Sequence, residues 1–559
     1  VSIRNGLITA PCGININYFY ITGNFQGSVD FDPDSEDGML TSSGLRSVYI
    51  SKHYYEGGHF CWAKSIDCLD TTSEVTVKSM EIDFPGMMTF VDFGQEDDSV
   101  NIYLSGVFKG TIDFDLDTGS YILSDNGVGD GNIFIAKYNG NGTLQWARQI
   151  GGSGQVSLKK QKIIGHHQGF IIAGLFSGTI DFDPGPNVAE YSSTSDTTGH
   201  QNVFFAKYNP NGELVFVKTL EYSTQEIDIS VNEDYIFLLT NLSGQADFDP
   251  GPGVTLIDGT AQSIVYAAYS SVGDLVYAKC IVGAQMNHSP TNGGSAMSNP
   301  EANRFIIAGI YNNSITFNPD GNSITLTQYV TNGNAVFYAG INCITGECLW
   351  AKDIENDGFL NVESVSLGIG GRTLITGSFD GTCDFDPGPG FSTQSTTFKE
   401  GYISVNNAVL GNFNGVSLLE GDGVEQILTI HDNGFDNLIG GTFSGSYLDL
   451  DLSFNEKIVY KQGLSNNIYI AGYNYNPKGA VNEVEKYNNI FVFPNPAKGS
   501  VNIIRNKDVS TEYALVDQLG REIQSGKLTT NQVMLNLAGI PAGMYYLRLD
   551  GGVVKLVVQ

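Results

Sequence analysis

Short runs of alternating hydrophobic and polar residues, separated by turn sequences, fill most of the chain. Residues 227–231 and 235–240 form one such pair of runs, joined by Asn232-Glu-Asp234. Alternation with a period of two predicts β-strands, and Asn, Asp and Gly between the runs favour tight turns. The pattern therefore predicts an all-β protein built from many short strands.

The motif Gly-x-Phe-x-Gly-(Ser/Thr)-x-Asp-Phe-Asp recurs along the chain in seven copies of varying quality. The position of its first Asp is occupied in turn by Asp30, Asp113, Asp181, Asp247, Thr316, Asp384 and Asp449. These positions are 83 residues apart for the first two copies and 65–69 residues apart afterwards. We attribute the longer first interval to an insertion near residues 68–83. Self-similarity at a nearly fixed period predicts a repeat architecture.

A second motif follows the first and predicts a β-hairpin. Its clearest form is Phe134-Ile-Ala-Lys-Tyr-Asn-Gly-Asn-Gly-Thr-Leu-Gln-Trp-Ala-Arg148. Each repeat then contains four main strands and a small hairpin excursion between the second and third. Seven such units favour a closed β-propeller over a linear solenoid. The motifs resemble the bacterial seven-bladed propeller repeat, which implies this architecture for residues 1–475 but says little about activity.

The seventh repeat has no convincing fourth strand of its own. Propeller rings usually close by combining the two chain ends, so residues 1–4 are the first candidate for this place. Residues 480–485 are the second candidate. The sequence leaves the choice open.

The last seventy residues follow a different pattern. Seven short strands are predicted, at residues 490–493, 501–504, 512–516, 522–524, 533–537, 544–549 and 553–558. Seven strands in so short a segment predict a small Ig-like β-sandwich at residues 490–559. Residues 476–489, which include Pro477 and Gly479, are predicted to be a linker.

Several motifs in this tail occur in a specific order. They are Pro494-Asn-Pro496-Ala-Lys-Gly499, Asp517-Gln-Leu-Gly520-Arg-Glu-Ile523, the segment from Leu537 through Gly543 and Tyr545 to Leu549, and the terminal Lys555-Leu-Val-Val-Gln559. The tail resembles the C-terminal sorting domain of type IX secretion substrates. The resemblance implies a sorting-signal role for Pro494, Pro496, Gly499, Gly520, Gly543, Tyr545, Lys555 and Gln559.

The same resemblance implies a route and a set of partners. The chain would pass through the periplasm and cross the outer membrane by the type IX translocon. A shuttle β-barrel in the outer membrane would then bind the sorting domain, and a sortase would remove it and link the cargo to a surface glycolipid. The expected location is the cell surface or the extracellular space. A terminal strand suits recognition by strand pairing or end capture.

Charge and hydropathy exclude several other roles. The chain has 29 Lys and Arg against 60 Asp and Glu, a formal net charge of −31. Such a surface repels nucleic acid and anionic membranes, so neither is an expected partner. No apolar run approaches the 18 or more residues of a membrane span. Hydrophobic residues make up 41% of the chain, which is enough to build a core.

The repeated Asp residues have two interpretations. In the first, Phe packs and the second Asp caps a Pro-Gly turn, as Asp often does. In the second, calcium binds where a third carboxylate follows at an alternate position, because calcium takes six to eight oxygens. The candidate calcium ligands are Asp30, Asp32 and Asp34 in the first copy, and Asp113, Asp115 and Asp117 in the second. The sequence leaves both interpretations open, so no cofactor is assigned.

Cys343 and Cys348 flank a predicted four-residue turn, so a disulfide and two unpaired core cysteines are equally open interpretations. The sequence contains no nucleophile elbow, zinc-binding helix motif or phosphate-binding loop. We therefore expect a non-enzymatic adhesin or binding module whose ligand is a surface glycan or protein. The alternative is a secreted glycan-active or other hydrolytic propeller enzyme. In an enzyme the acidic residues should converge, whereas here they recur by symmetry.

Overall fold

The computed structural model contains two compact units, residues 1–478 and 479–559. It describes residues 4–9, 18–32, 38–54, 59–83, 100–125, 131–163, 168–193, 201–224, 226–260, 263–286, 296–299, 304–318, 321–329, 335–368, 372–388, 391–407, 409–432, 437–449, 458–460, 467–473, 490–505, 511–517, 521–528, 532–541, 543–549 and 552–558. Every regular element in these ranges is a β-strand, which confirms the all-β prediction. None of them forms a helix that is long and apolar enough to cross a membrane.

The first four repeats each contain six strands in the same order. Repeat 1 comprises β1 (Arg4–Thr9), β2 (Tyr18–Phe25), β3 (Ser28–Asp30), β4 (Met39–Thr41), β5 (Ser47–Tyr54) and β6 (Phe60–Cys68). Repeat 2 comprises β7 (Glu74–Asp83), β8 (Asn101–Lys109), β9 (Thr111–Asp113), β10 (Ile122–Ser124), β11 (Asn132–Asn139) and β12 (Leu144–Gly152). Repeat 3 comprises β13 (Gln155–Ile163), β14 (Phe170–Ser177), β15 (Thr179–Asp181), β16 (Glu190–Ser192), β17 (Asn202–Tyr208) and β18 (Leu214–Leu220).

Repeat 4 follows this plan, and repeats 5–7 vary it. Repeat 4 comprises β19 (Ile227–Val231), β20 (Tyr235–Asn241), β21 (Gly244–Asp247), β22 (Leu256–Gly259), β23 (Ser263–Ser270) and β24 (Leu275–Val282). Repeat 5 comprises β25 (Ala284–Gln285), β26 (Ala296–Asn299), β27 (Arg304–Tyr311), β28 (Ser314–Phe317), β29 (Ile324–Thr327), β30 (Ala335–Asn342) and β31 (Cys348–Asn356). Repeat 6 comprises β32 (Ser364–Gly368), β33 (Arg372–Asp384), β34 (Thr393–Asn407) and β35 (Phe413–Gly421). Repeat 7 comprises β36 (Glu425–Asp432), β37 (Asn437–Phe443), β38 (Tyr447–Asp449), β39 (Ile458–Tyr460) and β40 (Asn467–Tyr473).

Each repeat folds into an antiparallel sheet whose main strands follow chain order. In repeat 3, for example, β13 pairs with β14, β14 with β17 and β17 with β18. In repeats 1–6 the first main strand therefore lies at one edge and the fourth at the other, whereas the described part of repeat 7 contains three main strands, β36, β37 and β40. We call the strands β1, β7, β13, β19, β26, β32 and β36 the edge strands.

The edge strands contact one another in sequence. Each packs against the edge strand of the next repeat, from β1 and β7 through to β32 and β36. The last of them, β36, and its neighbour β37 both contact β1. The cycle of contacts between neighbouring sheets therefore returns to its starting point.

The excursion between the second and third strands joins neighbouring sheets at the opposite edge. In repeat 2, β9 of the excursion pairs with β6, the last strand of repeat 1, through Asp113 opposite Asp67. The same pairing joins β15 to β12, β33 to β31 and β38 to β35. The sequence analysis did not foresee this role, because strand pairing between repeats leaves no local signal.

Side chains of the hairpin motif also form hydrogen bonds with the next repeat. Trp146 Nε1 donates a hydrogen bond to the Pro210 carbonyl at 3.3 Å, and Arg148 Nε donates to the Asn211 carbonyl at 3.2 Å. Both acceptors belong to the turn of the following repeat, where Gly212 adopts a φ of +75°. The Trp-x-Arg segment and the Asn-Gly turn therefore recur together because one contacts the other in the next sheet.

Three expectations need correction or stay open. Residues 68–83 contain a short turn and β7, so the extra length of repeat 2 lies between β7 and β8, mostly outside the described residues. Arg4 pairs with Asn24 as part of the first sheet and so does not complete the seventh. Residues 1–3 and 480–485 lie outside the described residues.

Cys343 and Cys348 are buried and form no disulfide bond with each other.

The second unit contains all seven strands that its sequence predicts. They are β41 (Ile490–Lys498), β42 (Ser500–Arg505), β43 (Thr511–Asp517), β44 (Glu522–Leu528), β45 (Gln532–Asn536), β46 (Gly543–Leu549) and β47 (Gly552–Val558). Their order is β44-β43-β46-β47-β41-β42-β45, and only the β47–β41 pair is parallel. Leu515, Leu547 and Leu556 lie in one shared core with Val501 and Leu535.

Candidate functional site

The last strand of the second unit, β47, is held mainly along one side. All seven of its residues pair antiparallel with β46, from Gly552 opposite Leu549 to Val558 opposite Gly543. Along its other side, the described pairing with β41 is a single parallel pair, Ala497 opposite Val558. Leu556 and Val558 are buried in the core, so β47 is part of the folded domain.

Two of the eight predicted sorting-signal residues, Gly499 and Tyr545, occupy positions that shape this domain. Gly499 forms the tight turn between β41 and β42 with a φ of +75°, a conformation that favours glycine. Tyr545 is buried, and its hydroxyl donates a hydrogen bond to the Pro541 carbonyl at 2.8 Å. Gly543 begins β46 and is exposed.

The five remaining signal residues can only be placed along the backbone or not at all. Pro494 and Pro496 lie within β41, and Lys555 lies in β47 opposite Tyr546. Gly520 and Gln559 lie outside the described residues. The assigned signal roles of all eight residues remain predictions.

In four of the motif copies, the first Asp closes the excursion hairpin from within. Asp181 Oδ1 accepts hydrogen bonds from the backbone N–H groups of Asp183 at 3.0 Å and Ala189 at 2.8 Å. Asp113, Asp247 and Asp384 accept the equivalent pairs of bonds. Each carboxylate thus links the backbone N–H groups of the residues two and eight positions further along the chain.

The second Asp caps the turn that follows, as the first interpretation predicted. Asp183 Oδ1 accepts from the N–H of Gly185 at 2.7 Å, and Asp249 and Asp386 accept equally from Gly251 and Gly388. Between the two Asp residues, Phe182 is fully buried against Phe176. The Tyr208 hydroxyl donates to the Phe182 carbonyl at 2.9 Å. The Asp-Phe-Asp segment is therefore fixed from both sides of its strand.

The second group of calcium candidates is occupied by hydrogen bonds and an ion pair. Asp113 accepts from the N–H groups of Asp115 and Tyr121, and Asp115 accepts from the N–H of Asp117. Asp117 forms an ion pair with Lys64 at 2.7 Å. No group of three His, Cys, Asp or Glu side chains suited to a metal occurs in the described ranges.

The first group of calcium candidates is only partly described. Asp30 Oδ1 accepts from the N–H of Asp32 at 3.1 Å, and Asp34 lies outside the described residues. Calcium at Asp30, Asp32 and Asp34 therefore stays a prediction.

If calcium binds there, adding a chelator to a calcium-loaded sample should lower the melting temperature, because the native state loses a ligand. An Asp32→Asn change should abolish the chelator effect. Asp183→Asn, at the equivalent position of repeat 3, is the matched control and should leave it intact. Identical melting curves with and without chelator in the unchanged protein would leave only the turn-capping role.

Two buried glutamates lie where the edge strands of repeats 6 and 7 begin. Glu363 accepts a hydrogen bond from Asn361 Nδ2 at 2.6 Å, and Glu425 accepts one from the N–H of Gly423 at 3.2 Å. Burial raises the pKa of Glu425 to about 7. Sequence analysis missed both residues, because one Glu ahead of a strand carries no distinguishing signal. The negative charges of Glu400 and Asp422 also raise the pKa of Glu425.

Comparison with known proteins identifies the tail. Residues 491–559 match the family described as the secretion system C-terminal sorting domain. This tail is thus a type IX secretion sorting domain, and the protein is secreted by that system to the cell surface or extracellular space. It follows that the type IX machinery handles the chain through this domain. No curated protein matches the chain.

Two solved structures are similar to parts of the chain at low scores. One is quinohemoprotein alcohol dehydrogenase ADHIIG from Pseudomonas putida HK5, with 9% identity and a TM-score of 0.31 over 76% of this chain and 61% of that one. The other is PorZ, a surface component of the type IX secretion system of Porphyromonas gingivalis. It has 9% identity and a TM-score of 0.14 over 98% of this chain and 86% of that one. This chain thus spans less than two thirds of the dehydrogenase.

Proposed function

We propose that the first unit is a seven-bladed β-propeller that the sorting domain delivers to the cell surface. The observation that carries the proposal is the cycle of edge-strand contacts, in which β36 returns to β1. Seven motif copies and four-stranded antiparallel sheets support it further. A linear solenoid would leave its first and last repeats apart. A crystal structure with six or eight sheets, or with an open ring, would refute the proposal.

We further propose that this propeller is a non-enzymatic adhesin or binding module. Its repeated carboxylates support this role, because they bond to backbone N–H groups within their own hairpins rather than converging on one place. A catalytic site needs an acid and a base held together near a substrate. The proposed ligand is a surface glycan or protein.

A glycan array screened in parallel with a panel of glycosidase and esterase substrates tests this role. We expect saturable binding to one class of glycan, or to none if the ligand is a protein, and no turnover of any substrate. A Glu425→Gln and a Glu363→Gln variant should bind as the unchanged protein does. Turnover that one of these variants abolishes would favour the hydrolytic alternative.

A further inference from the structure

Two lysines interrupt the pairing of neighbouring edge strands at equivalent places. In β7, Val77 pairs with Gly106 and Ser79 with Ser105, so Lys78 between them has no partner in β8. In β13, Leu158 pairs with Gly174 and Lys160 with Ala173, which leaves Lys159 unpaired in the same way. Each lysine therefore occupies a β-bulge. Bulges redirect a side chain and often occur beside functional sites.

The bulge in β7 is held by the neighbouring sheet. The N–H of Val77, next to Lys78, donates a hydrogen bond to Asn24 Oδ1 of repeat 1 at 2.9 Å. On the other side, the Ser79 hydroxyl donates to the Gln161 carbonyl of β13 at 3.3 Å. Both contacts are buried, so the backbone that carries Lys78 is fixed between repeats 1 and 3.

Carboxylates near the two bulges are bound by other lysines. Lys162 forms an ion pair with Glu81 at 2.8 Å, and Lys160 lies 3.5 Å from Asp228. In the described part of the chain, no ion pair reaches Lys78 or Lys159. Among the described residues, these two lysines are thus cations without an ion-pair partner in a protein whose net charge is −31.

Two further positive charges, those of Lys159 and Arg46, act on Lys78. Burial by its surroundings lowers the pKa of Lys78, and the charges of Lys159 and Arg46 lower it further. The Lys78 side chain is nevertheless exposed to solvent, and those of Lys159 and Arg46 are partly exposed. The backbone places these cations together, because Arg46 forms a parallel bridge with Glu74 of β7 and β7 packs against β13. Three cations on neighbouring strands attract an anion.

We propose that Lys78 and Lys159, on the neighbouring edge strands of repeats 2 and 3, form an oxyanion-binding site with Arg46 of repeat 1. Its ligand carries a sulfate, phosphate or carboxylate group, either as a free ion or on an acidic glycan. Charge-assisted hydrogen bonds to such a group offset the repulsion among the three cations. The site rests on the proposed binding role, which it makes specific, but it does not require a closed ring.

The test uses the full-length protein with inorganic sulfate, inorganic phosphate and a sulfated oligosaccharide beside its unsulfated counterpart. Isothermal titration should detect at least one of the anionic probes and should not detect the unsulfated sugar. A Lys78→Met/Lys159→Met variant should bind that probe at least about tenfold more weakly, because two charged hydrogen-bond donors are lost. Tight binding of the oligosaccharide with weak binding of both ions would identify a glycan as the source.

The matched control is Lys279→Met/Lys527→Met, which removes the same charge from two exposed lysines elsewhere. It should bind as the unchanged protein does. The Lys78/Lys159 variant should melt at the same temperature or higher without ligand, because removing like charges relieves repulsion. A folded protein that binds none of the anions, or equal loss of binding in both variants, would refute the site. Neither result would contradict the proposed propeller or the secretion route. An open ring would refute the propeller but not the anion site.

Discussion

Deleting residues 488–559 is expected to abolish surface delivery while leaving the first unit folded. The deletion removes the whole region that matches the sorting-domain family. The first unit, residues 1–478, is compact by itself, so it should keep its structure without the tail. The measurement is the fraction of the first-unit antigen in the medium or on intact cells, compared with the fraction in the periplasm. We expect nearly all of it to be periplasmic.

A smaller deletion should have nearly the same effect. Removing residues 555–559 takes Leu556 and Val558 out of the core of the second unit and shortens the pairing between β46 and β47. Loss of two buried aliphatic side chains costs several kcal/mol, on the order of 2–5 kcal/mol for each large one. A small domain has a low free energy of unfolding, so a loss of this size removes much of its stability.

The control for both deletions is Met534→Ala, which changes a side chain that is 68% exposed in the same domain. This variant should be exported normally, because little packing is lost. Normal surface delivery of the tail-less protein would contradict the assigned secretion route. Normal delivery after only the short deletion would mean that recognition does not require the complete last strand.

Local patterns predicted the strands well and the contacts between repeats poorly. The pair Ile227–Val231 and Tyr235–Asn241 appears in the structure as expected, because alternation and an Asn turn act within a dozen residues. The turn cap, one of the two interpretations of the second Asp of the motif, is also observed. Both features are decided by neighbours in sequence.

Contacts between repeats are decided by residues about seventy positions apart, and a single sequence cannot pair them. Trp146 and Pro210 illustrate the point, since each motif was visible but their hydrogen bond was not. The bulges at Lys78 and Lys159 escaped notice for the same reason, because a bulge depends on the partner strand. The insertion was assigned to the wrong place because motif spacing gives only the total length of a repeat.

The first Gly of the repeated motif also has a role that only the structure explains. Gly174 lies in β14 opposite the bulge of β13 and beneath the ring of Phe204. A Cβ atom at this position would lie 2.7 Å from Phe204 Cε1 and would overlap the Ser157 carbonyl oxygen. The ring and the backbone carbonyl are both buried within the sheet, so neither can move aside at low cost.

Gly174→Ala is therefore expected to destabilise the first unit by about 1–3 kcal/mol, the usual cost of overpacking a core, and by more if β13 must shift. The measurement is the denaturant midpoint or melting temperature of the purified protein. Gly321→Ala is the matched control, because a Cβ there meets nothing within 4 Å and the backbone needs no positive φ. It should change the stability by less than about 0.5 kcal/mol.

If the two variants had the same melting temperature, steric crowding would not explain the glycine at the start of the motif. A selective loss at Gly174 would mean that the motif begins with glycine because the edge strand passes too near for any side chain.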